Sequence, residues 1–271
     1  MQSSRPQKTR RLIFYVRGYS MYEAHPVFVQ PENEEVRVWR YMDFTKFVSL
    51  VDSRRLYFTR ADKFDDPFEG SWPKMNVIAR QYVPPEIPPK AQENFRRYMA
   101  SMGEINRKWP KLNAINCWHM NDHESAAMWK LYLKSDEGIA IQSTYKKLRN
   151  AITDDEKFFL GIVKYIDYEN EWIDAGNLLS PFVHKRKSFE HEREVRALVT
   201  KWPTGESGFD FNQETITHGL KLKVDLERLV DNIYVAPSTP DWFSGLVSAV
   251  VQRYGYSFPV VHSKLNEQPV F

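Results

Sequence analysis

The sequence predicts a single mixed α+β domain whose central, largely antiparallel sheet is flanked by helices. Short segments with the two-residue alternation of strands are interleaved with segments of helical periodicity from Val36 to His262. These segments do not follow the regular strand–helix–strand order of a doubly wound parallel sheet. The 11 glycines are scattered, so no phosphate-binding glycine loop is expected. A hydrophobic content of 42% is sufficient for a large core.

Proline and charge patterns divide the chain into parts. Residues 1–35 are rich in basic residues and turn formers, and we expect an N-terminal extension in which Leu12 to Val16 forms an edge strand. Residues 36–271 then form the α+β domain. Four prolines interrupt the chain between Tyr82 and Pro89. Residues 82–110 are therefore predicted to be a Pro-rich helical insertion outside the sheet.

Capping signals locate the helices in the first half of the domain. Asp43 has the position of an N-cap, because an apolar helical stripe begins at Phe44. Asn121 and Glu124 have the spacing of a capping box for a later helix. The predicted elements are strand 36–41, a helix after Asp43, strand 56–59, an exposed basic helix at 90–109, strand 114–118 and a helix through Leu133.

The second half continues the same alternation of short strands and amphipathic helices. Gly255 follows its last helix as a stop signal. The predicted elements are strand 138–142, helix 146–152, strand 159–166, a helical segment at 172–188, a strand ending near Val199, strand 220–224, a short helix through Leu229, strand 233–236, helix 241–253 and strand 259–262.

Charge and cysteine content indicate the compartment and the partners. The net charge is +3 and the pI about 8.7, values too mild to indicate a nucleic-acid partner by themselves. A basic N-terminal arm could still contact nucleic acid, through Arg5, Lys8, Arg10, Arg11 and Arg17. No stretch approaches the ~20 apolar residues of a membrane span, so no membrane association is expected. The single cysteine fits a reducing cytoplasm.

Chemistry is expected where charged residues cluster on an apolar strand, in Phe189-Glu-His-Glu-Arg-Glu-Val-Arg-Ala-Leu-Val199. A period of two places Glu192, Glu194 and Arg196 on one face, with the carboxylates roughly 6–7 Å apart. Two like charges at that distance are unfavourable unless a cation, a metal or water separates them. Either Arg196 and Lys187 neutralise a solvated face, or the glutamates line a polar cleft in which one of them acts on a substrate.

Arg40 is the second unusual charge. It shares a strand face with Val36 and Val38, while Trp39 and Tyr41 occupy the opposite face. An arginine that turns inward requires an anionic partner. That partner is either a bound phosphate or one of the strand glutamates.

The loop from Arg60 to Gly70 is dense in charged and aromatic residues, a composition typical of binding loops. Its Asp65-Asp66-Pro67 corner has a purely structural interpretation as a rigid turn. In an alternative interpretation its carboxylates join other charged residues around a divalent metal ion in a nuclease centre. That centre would combine carboxylates of the loop Asp65-Asp66-Pro67-Phe68-Glu69 with Glu192, Glu194 and Lys187.

Two further candidates have ordinary explanations. His119 and His123 are separated by the predicted N-cap at Asn121, so they do not share a helical face and a zinc site is not expected. Cys117 lies in an apolar strand pattern, where a small buried side chain is the usual role and a nucleophile is not expected.

Several segments together resemble a bacterial family known only as domain-of-unknown-function family 2971. They are Leu56-Tyr-Phe-Thr59, Phe64-Asp-Asp-Pro-Phe-Glu69, Asn116-Cys-Trp-His119, Ser125-Ala-Ala-Met-Trp-Lys-Leu-Tyr132, Glu137-Gly-Ile139, Lys164-Tyr165 and Glu192-Arg-Glu-Val-Arg196. The similarity covers roughly residues 36–240. The chain departs from the family pattern at Asp65, where asparagine is usual, and at Val195, where tryptophan is usual. The resemblance implies a bacterial cytoplasmic protein without an assigned reaction.

The order of Arg40, Ser143-Thr144 and Glu192-x-Glu194 is also similar to the pattern of ADP-ribosyltransferases. This resemblance implies NAD as the substrate, with its phosphate bound by Arg40 and its nicotinamide-side ribose held by Ser143. Glu194 would contact the ribose hydroxyl and stabilise the transition state, and Glu192 would orient the acceptor. Thr144 and Arg60 complete the set of cofactor-binding candidates.

The sequence is therefore compatible with three functions. One is an NAD-dependent ADP-ribosyltransferase-like enzyme or NAD glycohydrolase, with Glu194 and Glu192 as catalytic residues. Another is a divalent-metal-dependent nuclease. The third is a non-catalytic module that binds a nucleotide, a nucleic acid or a partner protein. No resident metal is expected in the first of these.

Overall fold

The computed structural model describes residues 20–132, 137–205 and 208–271. The strands in these ranges are β1 (Arg37–Asp43), β2 (Arg55–Arg60), β3 (Asn113–Met120), β4 (Gly138–Thr144), β5 (Phe159–Ile162), β6 (Lys164–Ile166), β7 (His184–Arg186), β8 (Glu194–Thr200), β9 (Thr204–Gly205), β10 (Gly208–Phe209), β11 (Gly219–Lys223), β12 (Asn232–Val235) and β13 (Val260–His262). The helices are α1 (Phe44–Ser53), α2 (Lys74–Ala79), α3 (Pro89–Lys108), α4 (Ala126–Tyr132), α5 (Tyr145–Ala151), α6 (Leu226–Leu229) and α7 (Asp241–Arg253).

The central sheet has the strand order β11-β2-β3-β1-β4-β12-β13, and β8 extends it by pairing with both β3 and β5. Its strand pairs are antiparallel apart from the parallel pair of β12 and β13. Helices flank the sheet. The predicted α+β class, with a largely antiparallel central sheet, is confirmed.

Both faces of the sheet are covered, which explains why most residues of its central strands are buried. One face packs against α1, α5 and α7 in a large apolar cluster that includes Val38, Phe47 and Val247. The other face is covered by two smaller clusters. One of these contains Trp109 and Phe182, and the other contains Trp129 beside the aromatic residues of β1.

Helix α1 begins where the capping signal predicts. The Asp43 carboxylate accepts a hydrogen bond from the backbone N–H of Lys46 at 2.8 Å. Arg54 ends the helix in the left-handed conformation, with a φ of 52°, and its N–H donates to the Leu50 carbonyl. This short helix connects β1 to β2.

Asp43→Ala should lower the free energy of unfolding by about 1 kcal/mol, because the first turn of α1 loses its side-chain acceptor. Asp43→Asn keeps an acceptor in the same place and should retain most of that stability. Urea denaturation of the two variants beside the wild type measures the difference. Equal destabilisation by alanine and asparagine would show that the cap contributes little.

Three local predictions are wrong. They concern the N-cap of helix α4, the strand at 159–166 and the helix at 172–188. Helix α4 begins at Ala126 and is capped by Ser125, whose Oγ accepts from the Met128 N–H at 3.3 Å, so Asn121 is not its N-cap. The predicted end of this helix at Leu133 lies outside the described residues. The predicted strand 159–166 divides into β5, which pairs with β8, and β6, which pairs with β7.

Residues 172–188 do not form the predicted helix. The side chains of Asp174 and Asn177 each accept from a backbone N–H two residues ahead, at 2.8 Å in both cases. Such local turns compete with helical hydrogen bonds. The segment instead contains a 3₁₀ turn at Ser180–Val183, followed directly by β7.

The domain boundaries remain predictions. Within the predicted extension, Phe28 is 2% exposed and its ring stacks on Phe159 at 5.3 Å. Within the predicted insertion, α3 contains no buried residue. The predicted strand at Leu12 to Val16 and the basic arm lie outside the described residues. Of the helices in the described ranges, none combines the length and the apolar character needed to cross a membrane.

Candidate functional site

A fork in the central sheet forms a cavity of about 680 Å³. Along one edge of β3, the early residues Ala114 and Ile115 pair with β2, whereas His119 and Met120 pair with β1. The described residues of β1 and β2 therefore leave a gap beside the middle of β3. The cavity is bordered by both diverging strands and by α1, α4 and β11.

The cavity wall is rich in aromatic side chains and contains charges of both signs. Aromatic lining residues include Tyr41, Tyr57, Phe64, Trp118, Tyr132 and Phe189. Positive charge comes from Arg40, Lys46, Arg55, Lys185 and Lys221, and negative charge from Asp65, Asp66, Glu192 and Glu194. The structure thus brings Arg40 and both sequence-selected glutamates to one cavity, together with the Asp65-Asp66 corner of the loop.

Arg40 lies in this wall without a carboxylate partner among the described residues. Its Nη1 donates to the backbone carbonyl of Cys117 at 2.7 Å, and the centre of its guanidinium is 6.0 Å from the ring centroid of Trp118. Burial lowers the pKa of Arg40 from its ordinary value, but an arginine remains charged in proteins. The salt bridge to a strand glutamate, one of the two expected alternatives, is not formed.

Arg196 forms a buried ion-pair network behind the cavity wall. Its side chain is 0% exposed and makes paired hydrogen bonds with Glu69, at 2.6 and 2.7 Å, and with Glu194, at 2.7 and 3.0 Å. It also donates to the Phe182 carbonyl at 2.8 Å. The alternative of a solvated strand face is therefore wrong, because this face of β8 is closed off by Glu69 and the segment around Phe182.

The two glutamates reach the cavity from different elements. Glu194 is the first residue of β8 and shares a strand face with Arg196, as the alternation predicts. Glu192 does not lie on the strand. It ends a 3₁₀ turn at Lys187–Glu192, and Arg193 then reverses the chain with a φ of 39°. The Glu192 side chain is 16% exposed and that of Glu194 is 5% exposed.

Lys185 is the cation that separates the two carboxylates. Its Nζ donates to Glu192 and lies 3.6 Å from Glu194 Oε2. Burial tends to raise the pKa of Glu194, but the attraction of Arg196 and Lys185 outweighs this effect, so its pKa lies below the ordinary value. Glu194 is therefore ionised at neutral pH. Lys187, which the sequence placed in this role, pairs instead with Glu171 at 2.9 Å.

The imidazole of His119 also lines the cavity and is 4% exposed. Its Nδ1 lies 2.6 Å from the backbone carbonyl of Glu192, a distance at which Nδ1–H donates to that oxygen. Burial lowers the pKa of the ring. His119 thus connects the end of β3 to the turn that presents Glu192.

The remaining cofactor-binding candidates lie elsewhere. Ser143 is fully buried and its hydroxyl donates to the Leu229 carbonyl at 2.5 Å. Thr144 is the N-cap of α5 and accepts from the Lys147 N–H at 3.2 Å. Arg60 is held by Asp62 and Glu214, with shortest contacts of 2.6 Å to each. None of the three belongs to the cavity wall.

No metal centre is assembled within the described ranges, where no group of three or more His, Cys, Asp or Glu side chains is placed to hold an ion. Asp66, a ligand in the nuclease alternative, pairs with Arg186 at 2.7 Å. Burial raises the pKa of the Cys117 thiol well above its ordinary value, so the thiol is not activated as a nucleophile.

Sequence reasoning did not predict the contacts of three residues that shape this site. Glu69 is 127 positions from Arg196, a pairing that no local pattern indicates. Lys185 lies in β7, within the segment that the sequence predicts as a helix. A helical position does not indicate that its side chain faces the glutamates. For His119 the sequence suggests at most a zinc ligand and does not indicate a contact with the backbone at Glu192. The Glu192 carbonyl that it contacts belongs to a turn that was predicted as strand.

Comparisons with known proteins add little to this geometry. No family model matches the chain, and no curated protein matches it. The resemblance to domain-of-unknown-function family 2971 is therefore not confirmed. One similar solved structure is that of DarT from Thermus sp. 2.9 in complex with ADP-ribosylated ssDNA, with 8% sequence identity and a TM-score of 0.37. That similarity covers 86% of this chain and 95% of the other, and a TM-score of this size establishes neither fold nor function.

Proposed function

We propose that the forked-sheet cavity binds NAD and catalyses cleavage of the bond between nicotinamide and ribose, as an ADP-ribosyltransferase or an NAD glycohydrolase. The observation that carries this proposal is the placement of Arg40. A guanidinium without a carboxylate partner lies in the same cavity wall as Glu192 and Glu194. A ligand with a phosphate group and a bond whose cleavage develops positive charge complements both features, and NAD has both.

Arg40 is suited to a phosphate. One of its nitrogens is occupied by the Cys117 carbonyl, and no described carboxylate neutralises the group. Guanidinium groups bind phosphate oxygens with short, charge-assisted hydrogen bonds. A desolvated cation gains most from such a partner, because the low dielectric of the wall strengthens the attraction.

The carboxylates are suited to the charge that develops during cleavage. The bond between ribose C1′ and the nicotinamide nitrogen breaks, and its electron pair neutralises the positive ring that leaves. Positive charge then builds on the ribose, where a nearby carboxylate stabilises the transition state more than the substrate. An acceptor nucleophile, or water, bonds to C1′ and gives up a proton to the solvent.

We assign Glu192 as the carboxylate that contacts the substrate. It is the more exposed of the two, whereas both Glu194 oxygens are already hydrogen-bonded by Arg196. Glu194 supports it as a second negative charge and by attracting Lys185. This reverses the roles that the resemblance to ADP-ribosyltransferases implies for the pair.

The size and lining of the cavity also support a nucleotide. Its volume of about 680 Å³ lies within the roughly 300–1,000 Å³ typical of small-molecule sites. Its aromatic residues include Tyr57 on β2, whose side chain is exposed. Such a ring provides a stacking surface for a base of the dinucleotide.

Arg40→Gln should weaken NAD binding by about 10- to 100-fold, the loss expected for hydrogen bonds to a charged group. Titration calorimetry with NAD measures this change. Arg37→Gln is the matched control, since Arg37 lies on the same strand, is exposed, and its side chain donates to the Asp122 backbone carbonyl at 2.8 Å. Equal NAD affinity in the wild type and a folded Arg40→Gln variant would contradict the proposal.

A further inference from the structure

The hydrogen-bond pattern of His119 determines its tautomer. A backbone carbonyl oxygen can only accept, so the contact of 2.6 Å with the Glu192 carbonyl places the hydrogen on Nδ1. In the neutral ring, Nε2 then carries a lone pair and acts as an acceptor. Burial, which lowers the pKa of this imidazole, favours the neutral form at physiological pH.

The Nε2 atom of His119 is buried and has no hydrogen-bond partner among residues 20–132, 137–205 and 208–271. Three other buried side-chain atoms in the described ranges share this property, Asn106 Oδ1, Arg186 Nε and Ser244 Oγ. Of the four residues, His119 is the one in the cavity wall. Buried polar atoms in native proteins are nearly always paired, so an unpaired atom in a residue of the cavity wall is a candidate partner for a group of the ligand.

We infer that His119 Nε2 accepts a hydrogen bond from an N–H group on an aromatic ring of the ligand, either a ring carboxamide or an exocyclic amine. This inference rests on the proposed function, because NAD carries both groups, one on nicotinamide and one on adenine. A ligand that presents a carboxylate or a carbonyl oxygen in that place offers no donor and leaves the acceptor unpaired. His119 is thus a specificity-determining residue.

The same ring connects ligand recognition to Glu192. Nδ1 holds the backbone of the turn that carries this carboxylate, while Nε2 contacts the ligand. When a ligand with the correct donor is bound, both imidazole nitrogens are hydrogen-bonded, Nδ1 to the Glu192 carbonyl and Nε2 to the ligand. Recognition of the ring and placement of the carboxylate depend on one side chain.

Two substitutions separate the two nitrogens. In His119→Asn the side-chain amide nitrogen takes the place of Nδ1 and can still donate to the Glu192 carbonyl, but no acceptor remains at the position of Nε2. In His119→Gln the amide oxygen reaches the position of Nε2 and restores an acceptor. Recognition of the ligand should therefore be lost in the first variant and largely kept in the second.

The test measures the affinities of three dinucleotides by calorimetry. They are NAD, nicotinic acid adenine dinucleotide, which lacks the carboxamide, and nicotinamide hypoxanthine dinucleotide, which lacks the adenine amine. The wild type should bind one of the two analogues about tenfold or more weakly than NAD, and that analogue identifies the contacted ring. His119→Asn should bind NAD and that analogue equally, whereas His119→Gln should keep the preference.

Failure of the inference and failure of the proposed function give different results. If NAD binds but no analogue is disfavoured, or if His119→Asn keeps the preference, the inference is wrong and the proposed function stands. If NAD does not bind, the proposed function fails, and the inference is tested separately by NMR. The ¹⁵N resonances of His119 are then recorded with nicotinamide and with nicotinate, and with AMP and with IMP. A shift of the Nε2 resonance with the amide or amine member of either pair supports the inference, and no such shift overturns it.

Discussion

Arg196→Met is expected to lower the free energy of unfolding by about 3–5 kcal/mol, a large part of the total stability of a typical domain. The substitution removes a fully buried cation and leaves Glu69 and Glu194 facing each other across its place. Lys185 stays near Glu194 but also pairs with Glu192, so it does not compensate both buried carboxylates for the loss of Arg196. The methionine fills similar volume, so the loss measures the charge more than the packing.

Urea denaturation of Arg196→Met and the wild type tests this expectation. Arg97→Met is the control, since Arg97 forms an exposed pair with Glu93 at 3.2 Å within α3, and no measurable change is expected there. The double variant Glu69→Met with Arg196→Met should lose less stability than the two single variants together, because it removes both members of one pair. A single Arg196→Met variant as stable as the wild type would show that the network is not formed.

Glu192→Gln should lower the rate of NAD cleavage by about 10²–10³-fold, the effect expected when one preorganised electrostatic contact is removed from a transition state. The substitution keeps the shape of the side chain and removes its charge. Because the carboxylate acts on charge that develops only during bond breaking, the affinity for NAD should change much less than the rate.

Release of nicotinamide is the measurement, made with a chelator present so that a metal-dependent hydrolase gives no signal. Glu190→Gln is the matched control, since Glu190 is exposed in the same 3₁₀ turn and lies outside the cavity wall. Glu194→Gln should lower both activity and stability, because Arg196 loses a charged partner. Equal turnover by the wild type and Glu192→Gln would remove Glu192 from the mechanism. Background turnover by both, with acceptors supplied, would favour a non-catalytic binding module.

Much of the fold could be predicted because its signals are local. Asp43 caps α1 through a contact three residues away, and the apolar alternation of β8 reflects strand geometry alone. The prediction failed where two local signals compete. Asn121 and Ser125 are both suitable N-caps, and the 172–188 segment combines apolar periodicity with Asx turns that prevail in the folded chain.

The site could be predicted only in part, since it depends on contacts between distant segments. The two-residue alternation of β8 is enough to place Glu194 and Arg196 on the same face of the strand. The fork in the sheet depends instead on the register of β3 with β1 and β2. Thr144 directly precedes an apolar helical stripe, which is a capping signal, and it is the N-cap of α5. The resemblance to ADP-ribosyltransferases implies a cofactor-binding role for it instead. The pairing of Glu69 with Arg196 spans 127 positions and has no sequence signature.

A crystal structure of the Glu192→Gln variant with NAD tests the central claim most directly, because slow cleavage preserves the intact ligand. We predict electron density for NAD in the cavity between β1 and β2, with phosphate oxygens within hydrogen-bond distance of Arg40 and the nicotinamide-side ribose beside residue 192. A ligand bound elsewhere on the protein, or an Arg40 side chain that contacts no phosphate while the cavity remains without nucleotide, would contradict the account.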